Sequence, residues 1–394
     1  MREGWTYKKL GDIATFINGD RGKNYPSQKD FVDKGIPFIN AGHIMDGEID
    51  FDSMNYITEN KYNSLNSGKI VDGDILFCLR GSLGKKAIVK GVAQGAIASS
   101  LVIIRCNDVY NQYLFHYLNS SFISSCIYKS NNGSSQPNLS ATSVSGYIIP
   151  IPSLPEQQSI VAELDKINEL ISLKKAQLSD LDSLAQSIFY DMFGDPIENE
   201  KGWEVKNLSD NVQEMFLGPF GSALKVDSYV EKIDAFCMVY EQKHAIQGRL
   251  DLENHFINEE KYNSLRRFEV KGGDFIMSCR GTIGKLYQLP IDAPRGIIHP
   301  SLMKIRIKED AYNSTYFKYM LVKIVANENT NGNCVQMAIT AKELGKKSLP
   351  LPPLSLQQEF AKRIELIEQQ KAQISSTIKD LETLLASRMQ YWFD

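Results

Sequence analysis

Between Leu154 and Phe193 the apolar positions of the chain fall into a heptad. Leu164, Ile167, Ile171, Lys174, Leu178, Leu181, Ala185 and Ile188 follow one another at alternating intervals of three and four. That spacing marks a coiled-coil seam rather than the broader stripe of a plain amphipathic helix. From Gln157 to Ile188 such a helix runs about 48 Å. Two hundred residues later the seam returns between Leu354 and Phe393, at Ile364, Ile367, Lys371, Ile374, Ile378, Leu381, Leu385 and Arg388. Either run alone could be an ordinary core helix. Two in matching register, one closing each half of the chain, predict a pair packed against each other. Lys174 and Lys371 interrupt the apolar series. Each either fixes register at some cost in stability or carries its charge out of the seam to water.

The rest of the chain repeats at the same offset to within two residues. Gly4-Trp5 returns as Gly202-Trp203, and Lys61-Tyr-Asn-Ser-Leu65 recurs letter for letter at 261–265. Gly73-Asp74 through Arg80-Gly-Ser82-Leu-Gly84-Lys85 becomes Gly273-Asp274 through Arg280-Gly-Thr282-Ile-Gly284-Lys285. Ser100-Leu101 matches Ser301-Leu302, and Ile149-Pro-Ile-Pro-Ser-Leu154 matches Leu349-Pro-Leu-Pro-Pro-Leu354. The expected plan is therefore α+β and tandem. A globular part (1–153) leads into a long helix (154–193), then a second globular part (194–353) leads into a second long helix (354–394). Within the first copy, 37–40, 75–78, 87–89 and 101–104 read as short strands between Gly-rich turns. Residues 113–119 read as a short helix, and another starts between 139 and 144. The Ile-Pro-Ile-Pro segment is extended, because proline drives the preceding residue out of the helical region. The copies part company at Asn18-Gly-Asp20-Arg21-Gly-Lys23-Asn24 against Gly218-Pro-Phe220-Gly-Ser222-Ala-Leu-Lys225. One scaffold thus presents two different surfaces.

Composition narrows the class. The 394 residues are 43% hydrophobic and 23% charged, as in a soluble globular protein of two or more domains. No apolar run approaches a membrane span, and the N-terminus lacks the apolar core of a secretory signal. Six cysteines without CxxC pairs suit reduced thiols in a cytoplasm and give no zinc signature. The net charge is −3, with +2 over residues 1–153, −4 over 154–193, 0 over 194–353 and −1 over 354–394. The acid excess lies on the helices. No part is strongly basic, so nucleic-acid binding would call for a partner that supplies more positive charge.

No catalytic constellation emerges. Gly81-Ser-Leu-Gly84-Lys85 falls short of a phosphate loop. Leu79 stands where its first glycine belongs, and Lys86 where its hydroxyl belongs. Arg80, Lys85, Arg280 and Lys285 are either solvated turn residues or contacts to phosphate and base, with Ser82 and Thr282 beside them. Ser134, Gln136 and Asn138, with Asn333 and Gln336, belong to amide-rich loops that suit adenine readout or simply loop structure. The five histidines show no metal spacing, and no methyltransferase tetrapeptide, GxGxxG helix start or triad is present.

The tandem plan resembles the specificity subunit of type I restriction–modification enzymes over the whole chain. The matching residues are Gly4-Trp5 with Leu10-Gly-Asp12, Gly73-Asp74 with Arg80-Gly-Ser-Leu-Gly84, Gln136-Pro-Asn138-Leu139, and Ile149-Pro-Ile-Pro-Ser-Leu-Pro-Glu-Gln157-Gln158. The second copy departs at Leu356 and Ala338, opposite Glu156 and Asn138. The resemblance implies two target recognition domains, each reading one half of a split site in double-stranded DNA, joined by two antiparallel helices that set the spacing. Half-sites one turn apart lie about 34–36 Å from centre to centre, within the reach of such helices. Unlike loops imply unlike half-sites. The resemblance also implies a non-catalytic chain without a cofactor of its own. Two modification subunits would carry S-adenosylmethionine and methylate adenine, and restriction subunits would use ATP and Mg to translocate and cleave DNA in the cytoplasm. Two other classes remain open on the residues alone: a coiled-coil scaffold without DNA specificity, and an enzyme built on the Arg-Gly-x-x-Gly-Lys turns.

Overall fold

The computed structural model describes residues 2–130, 138–331 and 338–393. The chain forms two compact units. One comprises residues 1–176 with 375–394, and the other is the continuous stretch 177–374. The compact units and the sequence repeat therefore divide the chain differently. Each unit takes the first part of its own copy's long helix and the last part of the other copy's.

In unit 1, one four-stranded sheet runs in the order Ala14–Asn18, Leu101–Cys106, Ile75–Cys78, Lys86–Ile88, with antiparallel neighbours throughout. A second sheet orders Ala96–Ile97, Ile36–Ile39, Tyr56–Ile57 and Phe31–Val32, the first pair parallel. Unit 2 repeats both sheets. The order Val212–Leu217, Leu302–Ile307, Phe275–Ser278, Leu286–Gln288 restates the first. The order His255–Ile257, Cys237–Tyr240, Gly296–Ile298, Glu269–Val270 keeps three strands of the second and its one parallel pair, but its fourth strand lies on the opposite edge, beside Gly296–Ile298. The strands expected near 37–40, 75–78, 87–89 and 101–104 are all present. So are the helices Asn111–Leu118 and Ala141–Ser145, the latter capped by the Ser140 hydroxyl. Ser121–Ser130 is a helix that the sequence pattern did not announce.

The extended Ile-Pro joint does more than deliver the chain to the helix. Ile148–Ile151 pairs antiparallel with Thr6–Lys9, and Ser348–Pro350 with Val205–Asn207. Each long helix, Leu154–Phe193 and Leu354–Phe393, has 40 residues, longer at both ends than the 157–188 run and its repeat. The first glutamine of each Gln-Gln pair explains the motif. Gln157 is buried, accepts from the Tyr110 N–H at 3.0 Å and donates to the Pro152 carbonyl at 3.0 Å. Gln357 accepts from the Asn313 N–H at 2.8 Å and donates to the Ala311 and Pro352 carbonyls. A buried amide with all these partners pins the helix start to the globular part.

Every expected seam position is buried or half-buried. In unit 1 the start of the first helix lies antiparallel to the end of the second. Arg388 forms a two-pronged ion pair with Glu163, which also accepts from Trp392 Nε1 at 3.1 Å, and Lys175 meets Glu382 at 3.3 Å. In unit 2 the same arrangement pairs Lys371 with Asp182 at 2.8 Å, with Glu368 adding a contact at 3.0 Å. Burial works against the Lys371 charge, and these two carboxylates outweigh it, so its pKa is raised. Lys371 thus stays within the seam by pairing; Lys174 is half-buried. The helix tips enter the cores. Phe393 packs on Tyr113 and Tyr117 in unit 1, and Phe193 on Tyr316 and Phe360 in unit 2.

A charged pair beneath the sheet repeats as well. Asp74 is bound by Arg105 through two hydrogen bonds of 2.8 Å, and Asp274 by Arg306 at 2.6 and 2.7 Å. Each carboxylate also accepts the backbone N–H three residues before it, from Val71 or Lys271, at 2.8 Å. This is why Gly-Asp recurs.

Candidate nucleic-acid interface

The strand register brings distant loops to one rim of each unit. In unit 1, Asn18 lies opposite Val102, Leu101 opposite Cys78, and Phe77 opposite Lys86. The loop after Asn18, the hairpin 79–85 and the turn 98–100 therefore emerge at the same end of the sheet. Backbone hydrogen bonds tie them together: Leu79 to Ser100 at 2.9 Å, Ala98 to Ile39 at 2.8 Å and Leu139 to Leu79 at 2.8 Å. Unit 2 repeats the bonds as Cys279 to Ser301, His299 to Tyr240 and Ile339 to Cys279, at 2.8 to 3.0 Å.

Glycine makes two of these approaches possible. A Cβ on Gly19 would sit 2.6 Å from the Ala98 carbonyl oxygen, and one on Gly218 would sit 2.2 Å from that of His299. In the hairpins, Gly84 and Gly284 have φ of 74° and 84°, and their Cβ atoms would strike Ile127 and Val325.

Most of the residues singled out from the sequence lie on these rims. Arg80, Ser82, Arg280, Thr282 and Lys285 are exposed on the hairpin tips. Lys85 is half-buried, its ammonium donating to the Ala41 carbonyl at 3.3 Å. Asn138 is exposed and bridges backbone to backbone with Arg80. Arg21 and Lys23 are exposed, and so are Ser222 and Lys225. Phe220 is 84% exposed, held between the buried Pro219 and a short 3-10 turn at Gly221–Ala223. Asp20 differs. It is buried, and its two oxygens accept the N–H groups of Gly22 and Asn66 at 2.8 Å, which hold its carboxyl below the usual range. Asp20 shapes the loop through these bonds. Ser134, Gln136, Asn333 and Gln336 lie outside the described residues.

The rim also includes residues that the sequence did not flag. The 3-10 turn Ala41–His43 and the helix Gln242–Gln247 occupy equivalent places. Each is preceded by an N-cap whose N–H donates to a histidine Nδ1, Asn40 to His43 at 3.2 Å and Glu241 to His244 at 2.8 Å. Both histidines are buried caps. The only sequence signal was a shared histidine in otherwise unlike tetrapeptides. Gln242 reaches the hairpin, donating to the Arg280 carbonyl at 2.7 Å.

A family model, the type I restriction modification DNA specificity domain, matches residues 2–182 and 239–383. The chain belongs to this family. The unmatched stretch between those ranges contains Gly218–Lys225, where the two copies differ most. Among relatives of this DNA specificity family, the chain is 24% identical to the type I restriction enzyme MjaIX specificity subunit of Methanocaldococcus jannaschii, over 90% of this chain and 85% of that one. It is 21% identical to the EcoKI specificity subunit of Escherichia coli K12, over 93% and 82%. The fold matches a chain from a type I R-M system solved for its complex assembly and conformational transition, with a TM-score of 0.65 at 19% identity, over 99% and 97%. It also matches the S subunit from M. genitalium, with a TM-score of 0.54 at 14% identity, over 99% and 96%. Specificity subunits are DNA-recognition components, not catalysts, and the family match gives no support to the scaffold reading. Among the described residues no group of three or more His, Cys, Asp or Glu is placed to hold a metal, and no helix is long and apolar enough to cross a membrane.

Proposed function

We propose that this chain selects the DNA target of a type I restriction–modification complex, with residues 1–153 reading one half of a split site and 194–353 the other. The observation that carries the reading is the repeated rim. Two equivalent scaffolds gather exposed Arg, Lys, Ser, Thr and Asn side chains on unlike loops, which suits two unlike half-sites. Arg80, Lys85, Arg280 and Lys285 would hold phosphate or guanine. Arg21, Lys23, Ser222, Lys225, Asn138 and the loops bearing Ser134, Gln136, Asn333 and Gln336 would complete the two surfaces. The paired helices would space the half-sites and receive two modification subunits. Methyl transfer from S-adenosylmethionine would occur there, and ATP- and Mg-dependent cleavage on restriction subunits, all in the cytoplasm. The near-neutral charge of the globular parts supports dependence on those partners for tight binding.

Methylation mapping tests this. A host lacking the system expresses this chain with its cognate modification subunit, and single-molecule sequencing locates modified bases. The expected result is one split motif with methylated adenine in both halves. Replacing residues 194–353 should change one half only. An assembled, active complex that modifies no motif would overturn the proposal.

A further inference from the structure

The second rim contains a polar network that the described residues of the first lack. Glu241 caps the helix Gln242–Gln247 and directly follows Tyr240, the last residue of a central strand. Both its oxygens lie 3.0 Å from His255 Nδ1, and Lys243 Nζ lies 2.8 Å from Oε2. The His255 ring stacks on Tyr229, with centroids 4.6 Å apart and planes within 5°. A clamp of this kind fixes the carboxylate in place. Its side chain keeps 17% of its exposure, on the rim that also carries the exposed Arg280, Lys285 and Lys225. Burial alone would push the Glu241 carboxyl up, but the bonds from Lys243 and His255 more than reverse this and keep it ionised.

A fixed carboxylate is out of place on a surface that meets phosphate, because it repels the backbone. It has a use against a base edge, where it can only accept a hydrogen bond. In the major groove the exocyclic amino groups of cytosine and adenine are the donors, and Glu suits the cytosine N4 amino group. Among the described residues the first rim has nothing equivalent. Its matching N-cap, Asn40, turns its side-chain oxygen back onto the Gly42 N–H at 2.7 Å, and Ala41 and Gly42 follow.

We propose that Glu241 reads an exocyclic amino group at one position of the half-site met by the second copy, with His255 and Lys243 as positioning residues. The inference rests on the DNA-recognition reading above.

Glu241→Gln keeps the size and removes the charge. The assembled modification complex carrying it would be mapped beside wild type and titrated against duplexes varied one position at a time. Selectivity at one cytosine or adenine position of one half-site should fall about tenfold or more, the other half-site should be unchanged, and binding to unrelated duplex should tighten as repulsion is relieved. The base lost identifies which amino group is read. Glu241→Ala should lose the same position, and thermal unfolding of both variants checks the fold. An unchanged motif, or an equal loss across all sequences from a folded complex, would overturn the assignment of Glu241 while leaving the wild-type motif intact. A wild-type complex without a split motif would remove both this inference and the reading beneath it.

Discussion

Replacing Asp274 by alanine should cost far more than the same change at Asp74, although the two residues occupy equivalent places. Asp274 is 2% exposed and faces two cations: Arg306 through two hydrogen bonds, and Lys304, 3.5 Å away and itself only 3% exposed. Glu214 completes the cluster, 2.5 Å from Lys304 and 3.0 Å from Arg306. Removing Asp274 leaves two buried or half-buried cations against one carboxylate and orphans the Lys271 N–H. Breaking such a pair costs about 3–5 kcal/mol. In the first copy Ile103 stands where Lys304 does, and Arg105 is 35% exposed, so the freed guanidinium can turn to water. Asp74→Ala should then cost about 1–3 kcal/mol, chiefly the lost hydrogen bonds. The chain's three tryptophans allow each unit to be followed separately. Trp5 and Trp392 lie in unit 1 and Trp203 in unit 2. A Trp203→Phe background reports unit 1 by fluorescence, and a Trp5→Phe/Trp392→Phe background reports unit 2. Asp274→Ala should lower the unit 2 midpoint on the order of 10 °C. An equal or larger fall for unit 1 with Asp74→Ala would refute the reasoning that the uncompensated buried cation sets the cost.

Two further outcomes are expected. Burial pushes the half-buried Lys86 ammonium, which donates to the Leu118 carbonyl at 2.6 Å, down to about 8 from its ordinary 10.5. Between those values the unfolded chain holds a proton that the folded chain has released, so Lys86 makes unit 1 more stable as pH rises from 8 to 10.5. Lys86→Leu, the residue of the second copy at Leu286, should stabilise unit 1 by about 1–2 kcal/mol at pH 7, after discounting for partial exposure, and flatten that rise; urea titrations at pH 7 and pH 10 check both. Gly218→Ala should cost about 1–3 kcal/mol by overpacking against the His299 carbonyl and blur one half-site in methylation maps. Gly221→Ala, whose Cβ meets nothing within 4 Å, should leave stability unchanged.

The helical seam was legible because burial along a paired helix follows the 3.5-residue period directly, and even Lys371 and Arg388 keep their seam places by finding carboxylates. The hairpins were legible because their glycines are forced by backbone approach and so recur in both copies. The partner of Asp74 was not. Arg105 sits in a strand whose other residues are apolar and Arg306 in one whose only other charge is Lys304, and only pairing across the sheet shows what they bind. The 41–43 and 242–247 segments were missed because their rim positions need only an N-cap and a histidine, leaving the remaining residues free to differ. The loop-forming bonds of Asp20 were not legible because a polar loop residue looks the same in sequence whether it faces a ligand or its own backbone.

The exchange of helix ends bears on how the molecule is made. Unit 2 is continuous in sequence, so all of it has left the ribosome once residue 374 has emerged. The core of unit 1 is completed by Leu385, Met389, Trp392 and Phe393, which leave the ribosome after all of unit 2. The half of the protein that begins first is therefore the half that closes last. Until those residues emerge, the core that holds Ile160, Val161 and Leu164 lacks its second helix, and a nascent chain stalled before residue 385 would expose that face to chaperones or to another nascent copy.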